Sequence, residues 1–128
     1  MTPTSTLIEL VLSMPADHFS EGDDCQLDLL VTNAGSERES DLYVLLDVFG
    51  QYWSYPGWQP LSSGLDHLRW MVPQGHSDTL NLIPEFTMPP VVPAGPFYFY
   101  AAMFEAGALD LEHLVSNGAV FEFRLESE

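Results

Sequence analysis

Apolar side chains recur along this chain with a period of two, the spacing of a β-strand that buries one face. In a first segment, residues 7–12, Ile8, Leu10 and Leu12 share one side. In a second, residues 25–32, Cys25, Leu27, Leu29 and Val31 alternate with Gln26, Asp28 and Thr32. That alternation predicts a half-buried strand. Residues 42–49 are apolar on both faces apart from Asp47, which predicts a central strand. Residues 97–104 carry two apolar stripes: Phe97, Phe99, Ala101 and Met103 on one side, Tyr98, Tyr100, Ala102 and Phe104 on the other. Residues 119–125 close the pattern, with Phe121, Phe123 and Leu125 inward and Glu122 and Arg124 outward.

Three weaker segments complete the set. Residues 52–55 predict a short edge strand, and residues 68–72 a further short one. Residues 79–86 predict a strand that Pro84 confines to an edge or a bulge. Turn chemistry separates them: Gly22-Asp23, Asn33-Ala34-Gly35, Gly50, Pro56-Gly57, Pro73 with Gly75, and Asn117-Gly118. Residues 36–41 read as an acidic loop, residues 58–66 as a long loop, and residues 88–95 as a stiff proline-rich connection. One or two helical turns are expected within residues 109–115, ended by Asn117-Gly118.

No predicted helix is long enough for the crossovers of a parallel sheet. Seven to eight strands, with at most one short helical turn, therefore predict an all-β fold. Its economical form is a two-sheet antiparallel immunoglobulin-like sandwich, a single domain over residues 1–128. The stretch of residues 6–12 is expected as an ordinary first strand of its own sheet, with pairing to a neighbouring chain in a polymer as the alternative.

Charge sharpens the picture. Among 128 residues there are 19 acids, 3 arginines and no lysine, a formal net charge of −16. Nucleic acid is excluded as a partner, because phosphate binding needs clustered cations. An anionic membrane surface is disfavoured for the same reason. No stretch approaches the ~20 apolar residues that cross a bilayer, and residues 1–6 do not read as a signal peptide. Cys25, the single cysteine, is expected as a buried structural thiol.

Several segments resemble a known group. His18-Phe19-Ser20-Glu21-Gly22-Asp23 leads into Cys25 to Val31 and Thr32-Asn33-Ala34-Gly35. Asp41-Leu42-Tyr43-Val44-Leu45-Leu46-Asp47-Val48 follows, then Gly50, Tyr52-Trp53 and Pro56-Gly57-Trp58, and finally Gly95-Pro96-Phe97-Tyr98-Phe99-Tyr100-Ala101-Ala102. Together they are similar to the immunoglobulin-like or fibronectin-III-like accessory modules of bacterial exported and cell-surface proteins. The resemblance implies an extracellular setting and a spacer, docking or assembly role, with a protein partner or neighbouring domains of a longer chain. It carries no catalytic residues.

Two candidate sites stand out. Tyr52, Trp53, Tyr55 and Trp58 put four large rings within seven residues. They would form a stacking platform for the apolar faces of sugar rings, or else close one end of the sandwich as core. The second candidate is a calcium site. The predicted topology brings Glu37, Glu39 and Asp41 toward Glu105, Asp110 and Glu112, and a hard cation wants such oxygens. A solvated acidic rim is the simpler alternative. The histidines show no metal-ligand spacing, and His76-Ser77-Asp78 cannot converge as a triad. The expectation is a non-catalytic structural or interaction module, needing no cofactor unless calcium. The alternative is a polysaccharide-binding module on the aromatic platform.

Overall fold

Alternation does build two packed sheets. The computed structural model describes residues 8–35, 37–90, 92–108 and 110–126. Residues 1–7, Ser36, Val91 and Leu109, which belong to predicted segments, lie outside them, as do residues 127–128. Among the described residues the strands are β1 (Ile8–Ser13), β2 (His18–Phe19), β3 (Asp24–Asn33), β4 (Arg38–Val48), β5 (Gln51–Ser54), β6 (Gln59–Pro60), β7 (Leu68–Val72), β8 (Ser77–Thr87), β9 (Ala94–Glu105) and β10 (Ala119–Leu125). All eight predicted strands are present, and β2 and β6 add two residues each. The helical turn appears as a single 3-10 turn at Leu111–His113, and a second lies at Leu61–Ser63 inside the predicted long loop. No helix of the described residues is long and apolar enough to cross a membrane.

The smaller sheet has the order β1-β3-β8, and the larger runs β2-β10-β9-β4-β5-β6, with β7 also paired to β4. All pairings are antiparallel except the short β2–β10 contact, which is parallel. The chain is an immunoglobulin-like β-sandwich. Its core holds Ile8, Leu10 and Leu12 from β1 and Leu27, Leu29 and Val31 from β3. Facing them are Leu42 and Val44 from β4 and Phe99, Ala101 and Met103 from β9. Each such side chain contributes about 1.5–3 kcal/mol by leaving water. Cys25 is buried beside Phe19 and Met88, as a structural thiol should be.

Three details bear on the sequence reading; the first corrects it and the second bears it out. First, β4 starts at Arg38, so Arg38, Glu39 and Asp41 belong to a strand and not to a loop. Their backbone pairs with β7 throughout (Arg38↔Val72 to Leu42↔Leu68), and from Ser40 onward with β9 as well (Ser40↔Glu105, Asp41↔Phe104). Pairing overrides the polar composition. Second, Pro84 sits in a bulge of edge strand β8: Leu27 pairs with Ile83 but Cys25 with Phe86, so one residue is extra. Third, the outer edge of β1 is already occupied near its start. Ile8 N donates to Val115 O at 3.0 Å. The Asn117 side chain accepts from Leu10 N at 2.7 Å and donates to Leu10 O at 3.0 Å. The amide thus stands in for a paired residue of a neighbouring strand.

A second asparagine joins the sheets at the same end. Asn33 is buried at the last position of β3, in register with Ile8. Its Nδ2 donates to Pro73 O at 3.0 Å and Val72 O at 3.3 Å, while Oδ1 accepts from Gly35 N at 2.9 Å. Val72 and Pro73 follow from β7, in the opposite sheet, so one side chain ties β3 to the connection that returns to β8. Removing it takes a donor from both carbonyls and the acceptor from Gly35 N, although Pro73 O keeps His76 N at 3.2 Å; the loss costs about 1–3 kcal/mol. Asn33→Ala is expected to lose that much in urea denaturation, and Asn81→Ala, at an exposed position of β8, clearly less.

Candidate interaction face

The outward face of the larger sheet is where the sequence is least like an ordinary surface. On β4 the even positions point to the core, so Tyr43, Leu45 and Asp47 point away from it. On β9 the same reasoning sends Tyr98, Tyr100, Ala102 and Phe104 outward. Register then assembles rows. Tyr52, Asp47, Tyr98 and Glu122 lie side by side across β5, β4, β9 and β10. The next row holds Leu45, Tyr100 and Val120, and the one after it Tyr43 and Ala102. Asp41 and Phe104 follow.

The rings on this face pack against each other, so most are half-buried. Tyr98 and Tyr100 stack with centroids 6.0 Å apart and planes at 22°. Tyr43 meets Phe104 edge-on at 5.7 Å and His67 at 5.2 Å. The Tyr100 hydroxyl donates to Asp47 Oδ2 at 3.4 Å. Burial and the Asp47 charge both raise the Tyr100 pKa. Tyr43, Leu45, Leu65, Tyr100, Phe104 and Val120 line a shallow depression of about 350 Å³. Val120 at its margin is 59% exposed. This face is apolar at its centre and carries acids at one end.

The other end is closed by an ion pair. Asp41 is buried, and Arg69 on β7 faces it in register. Arg69 Nε donates to Oδ1 at 2.8 Å and its terminal nitrogen to Oδ2 at 3.1 Å. Gly107 N also donates to Oδ2, at 2.9 Å. The hydrogen bond from Arg69, then that from Gly107, hold the Asp41 carboxyl below the usual carboxylate range against its burial, and nearby His67 adds to the effect. Bidentate geometry makes this a structural clamp between β4, β7 and the turn after β9.

The four predicted platform rings are distributed over different sides. Tyr55 and Trp58 meet edge-on at 5.7 Å, and Trp58 reaches Phe99 at 6.0 Å; both pack against the main core. Trp53 lines an apolar cleft with Leu46, Val48, Trp58 and Ile83 between the sheets. Tyr52 is its neighbour on β5 and so points to the opposite face. Tyr52 joins the outward row, while the other three seal the sandwich beside β8.

Three of the six predicted calcium ligands, Asp41, Glu105 and Asp110, meet cationic side chains. The topology does bring Glu105 beside Ser40, hence near Glu39 and Asp41. Yet both Asp41 oxygens already accept hydrogen bonds. Glu105 lies 3.7 Å from Arg38 and 3.9 Å from His113. Asp110 Oδ1 is 2.6 Å from His113 Nδ1, a contact that lowers the Asp110 pKa and raises that of His113. Glu37, Glu39 and Glu112 are exposed. Among the described residues no three His, Cys, Asp or Glu gather as a metal site. Asp41, with both oxygens accepting from Arg69 and Gly107, has no oxygen left over for a cation as these groups stand.

No protein-family model matches the chain, and neither does any curated protein. Solved structures do match in fold. The CARDB domain of a Pyrococcus furiosus protein, determined in complex with di-metal ions, aligns over 94% of both chains at a TM-score of 0.58 and 14% identity. A Listeria innocua β-glucosidase in complex with isofagomine aligns over 94% of this chain at 0.52 and 12% identity, but over only 16% of its own length. A mutant of that enzyme with laminaribiose gives 0.51 and 15% identity, again over 16% of its length. At these identities the likeness establishes an immunoglobulin-like sandwich. Chemistry has to be argued from this chain's own residues.

Two outcomes follow. Asp41 has a lowered carboxyl pKa in the folded state, so its clamp stabilises above the unfolded value of ~3.9 and is lost as pH falls through the folded value. Asp41→Asn is expected to be less stable than the parent at pH 7. The gap should narrow as urea midpoints are followed down below about pH 4. Calcium added to chelated protein is expected to raise Tm no more than magnesium does.

Proposed function

We infer that this chain is a non-catalytic interaction module, which docks other protein surfaces through the outward face of its larger sheet. The observation that supports this is the second apolar stripe on β4 and β9. One stripe, with Leu42, Val44, Phe99 and Met103, is the sandwich core. The other, with Tyr43, Leu45, Tyr100, Ala102 and Phe104, has no sheet over it. Strands of this two-sided kind belong to sheets covered on both faces, and contiguous exposed apolar patches mark interaction surfaces.

The β-glucosidase alignments are consistent with such a role. There a domain of this shape occupies a small share of a large enzyme, and this chain would be an accessory module of a longer protein in the same sense. An exported bacterial setting rests on the sequence resemblance, and protease accessibility on intact cells tests it. The carbohydrate alternative loses its assembled platform once Tyr55 and Trp58 are committed to the core.

A photoreactive side chain at Val120, in cells making the native protein, is expected to give discrete protein adducts. The same label at Val11 is the control, being 45% exposed on the outer side of the smaller sheet. Adducts no more frequent at Val120 than at Val11 would remove the docking reading.

A further inference from the structure

We propose that the surface docking on this face is a protein surface of opposite charge: an apolar ridge that ends in an arginine seated on Tyr98. This rests on the docking reading above and adds the partner's chemistry to it. Leu45, Tyr100, Val120 and Ala102 offer a seat for aliphatic side chains. One row further, Tyr98 lies between Asp47 and Glu122 on the flanking strands, with Tyr52 beyond Asp47. A flat guanidinium stacks on a tyrosine face and reaches carboxylates on either side, which suits arginine better than lysine. The stacked Tyr98–Tyr100 pair, at 6.0 Å and 22°, holds that ring surface in place.

Charge selects among possible occupants. The chain carries −16, with only 3 basic side chains of Lys or Arg type. A second copy would bring the same excess of acid, including its own Asp47 and Glu122. A basic partner is attracted over the distance at which a copy is repelled. At the centre of the face Leu45, Val120, Ala102 and Phe104 offer sugar hydroxyls no hydrogen-bonding side chain, and the Tyr100 hydroxyl among them already donates to Asp47. Arg124 approaches Glu122 at 3.8 Å, with both side chains half-exposed. A pair of that kind is held weakly in water and leaves Glu122 able to take a closer cation.

The test uses three nine-residue peptides titrated into the isotope-labelled chain at moderate salt: alternating Arg-Val, alternating Glu-Val, and alternating Arg-Ser. Arg-Val is expected to bind at least about tenfold more tightly than either control. Its shift changes should cluster on Leu45, Asp47, Tyr98, Tyr100, Ala102, Val120 and Glu122. Tyr98→Ser and Glu122→Gln should each weaken it about threefold to tenfold. Glu122 is exposed, so its variant keeps the test valid should the Tyr98 variant misfold. Equal binding of Arg-Ser would reduce the effect to bulk charge and overturn the proposal. So would tighter binding of Glu-Val, shifts scattered over the acidic surface, or no binding at millimolar peptide. Sedimentation showing a dimer that Val120→Glu disperses would name a second copy as the occupant and overturn it as well. Adducts at Val120 in cells without Arg-Val binding would leave the docking face standing and remove only the basic partner.

Discussion

The pairing of β4 with β9 is the constraint from which the rest of the molecule follows. Eight registered pairs, from Ser40↔Glu105 to Asp47↔Tyr98, join two strands that are apolar on both sides. Side chains alternate strictly, so one choice of register fixes both faces at once. With Leu42, Val44, Phe99, Ala101 and Met103 inward, Tyr43, Leu45, Tyr100, Ala102 and Phe104 must point outward. The smaller sheet can cover only one of these stripes. The uncovered one is therefore a consequence of the central pairing.

Polar groups then decide how the ends are closed. Asn33 ties the end of β3 to the carbonyls of Val72 and Pro73 at the end of β7, and Asn117, in the connection before β10, completes the edge of β1. Asp41 with Arg69 clamps β4 to β7, and the Gly107 N–H adds the turn after β9. Each is a side chain satisfying groups that regular sheet pairing leaves over. Each is buried or braced by backbone, so its hydrogen bonds count for more than those on an open surface. The same demand explains why Asp41 is a poor metal ligand: its oxygens are consumed by the fold.

The strands were legible because their periodicity is local. Ile8, Leu10 and Leu12, or Cys25 through Val31, reveal their inward side without any knowledge of a partner strand. Pro84 likewise announced its bulge through its missing N–H. What could not be read was anything set by pairing at long range. Arg38 to Asp41 look like a loop by composition and become a strand because β7 pairs with all of them and β9 with Ser40 and Asp41. The run Tyr52 to Trp58 looks like one platform by spacing. It divides because Tyr52 and Trp53 are neighbours on a strand and because Trp58 folds back onto Phe99. The outward face was visible as two stripes within residues 97–104, but only register showed that Leu45 and Val120 flank Tyr100. Register brings Glu105 beside Ser40, close to Glu39 and Asp41, but nothing local in the sequence marks the arginine and histidine partners of Asp41, Glu105 and Asp110.

Charge and the uncovered stripe make sense only together. An apolar sheet face on a neutral protein invites copies to stack on one another. Here the excess of acid opposes that encounter at long range, before the apolar surfaces can meet. Every arginine is already paired: Arg38 with Glu105, Arg69 with Asp41, and Arg124 with Glu122. Repulsion between like chains therefore permits a face that would otherwise aggregate, and it does so without touching the apolar atoms themselves. On the docking proposed above, the same field would draw in a surface of opposite sign, and the row of Asp47, Tyr98 and Glu122 would orient it. Acidity and hydrophobic exposure, which read as unrelated oddities along the chain, would then act together to admit some neighbours and refuse others.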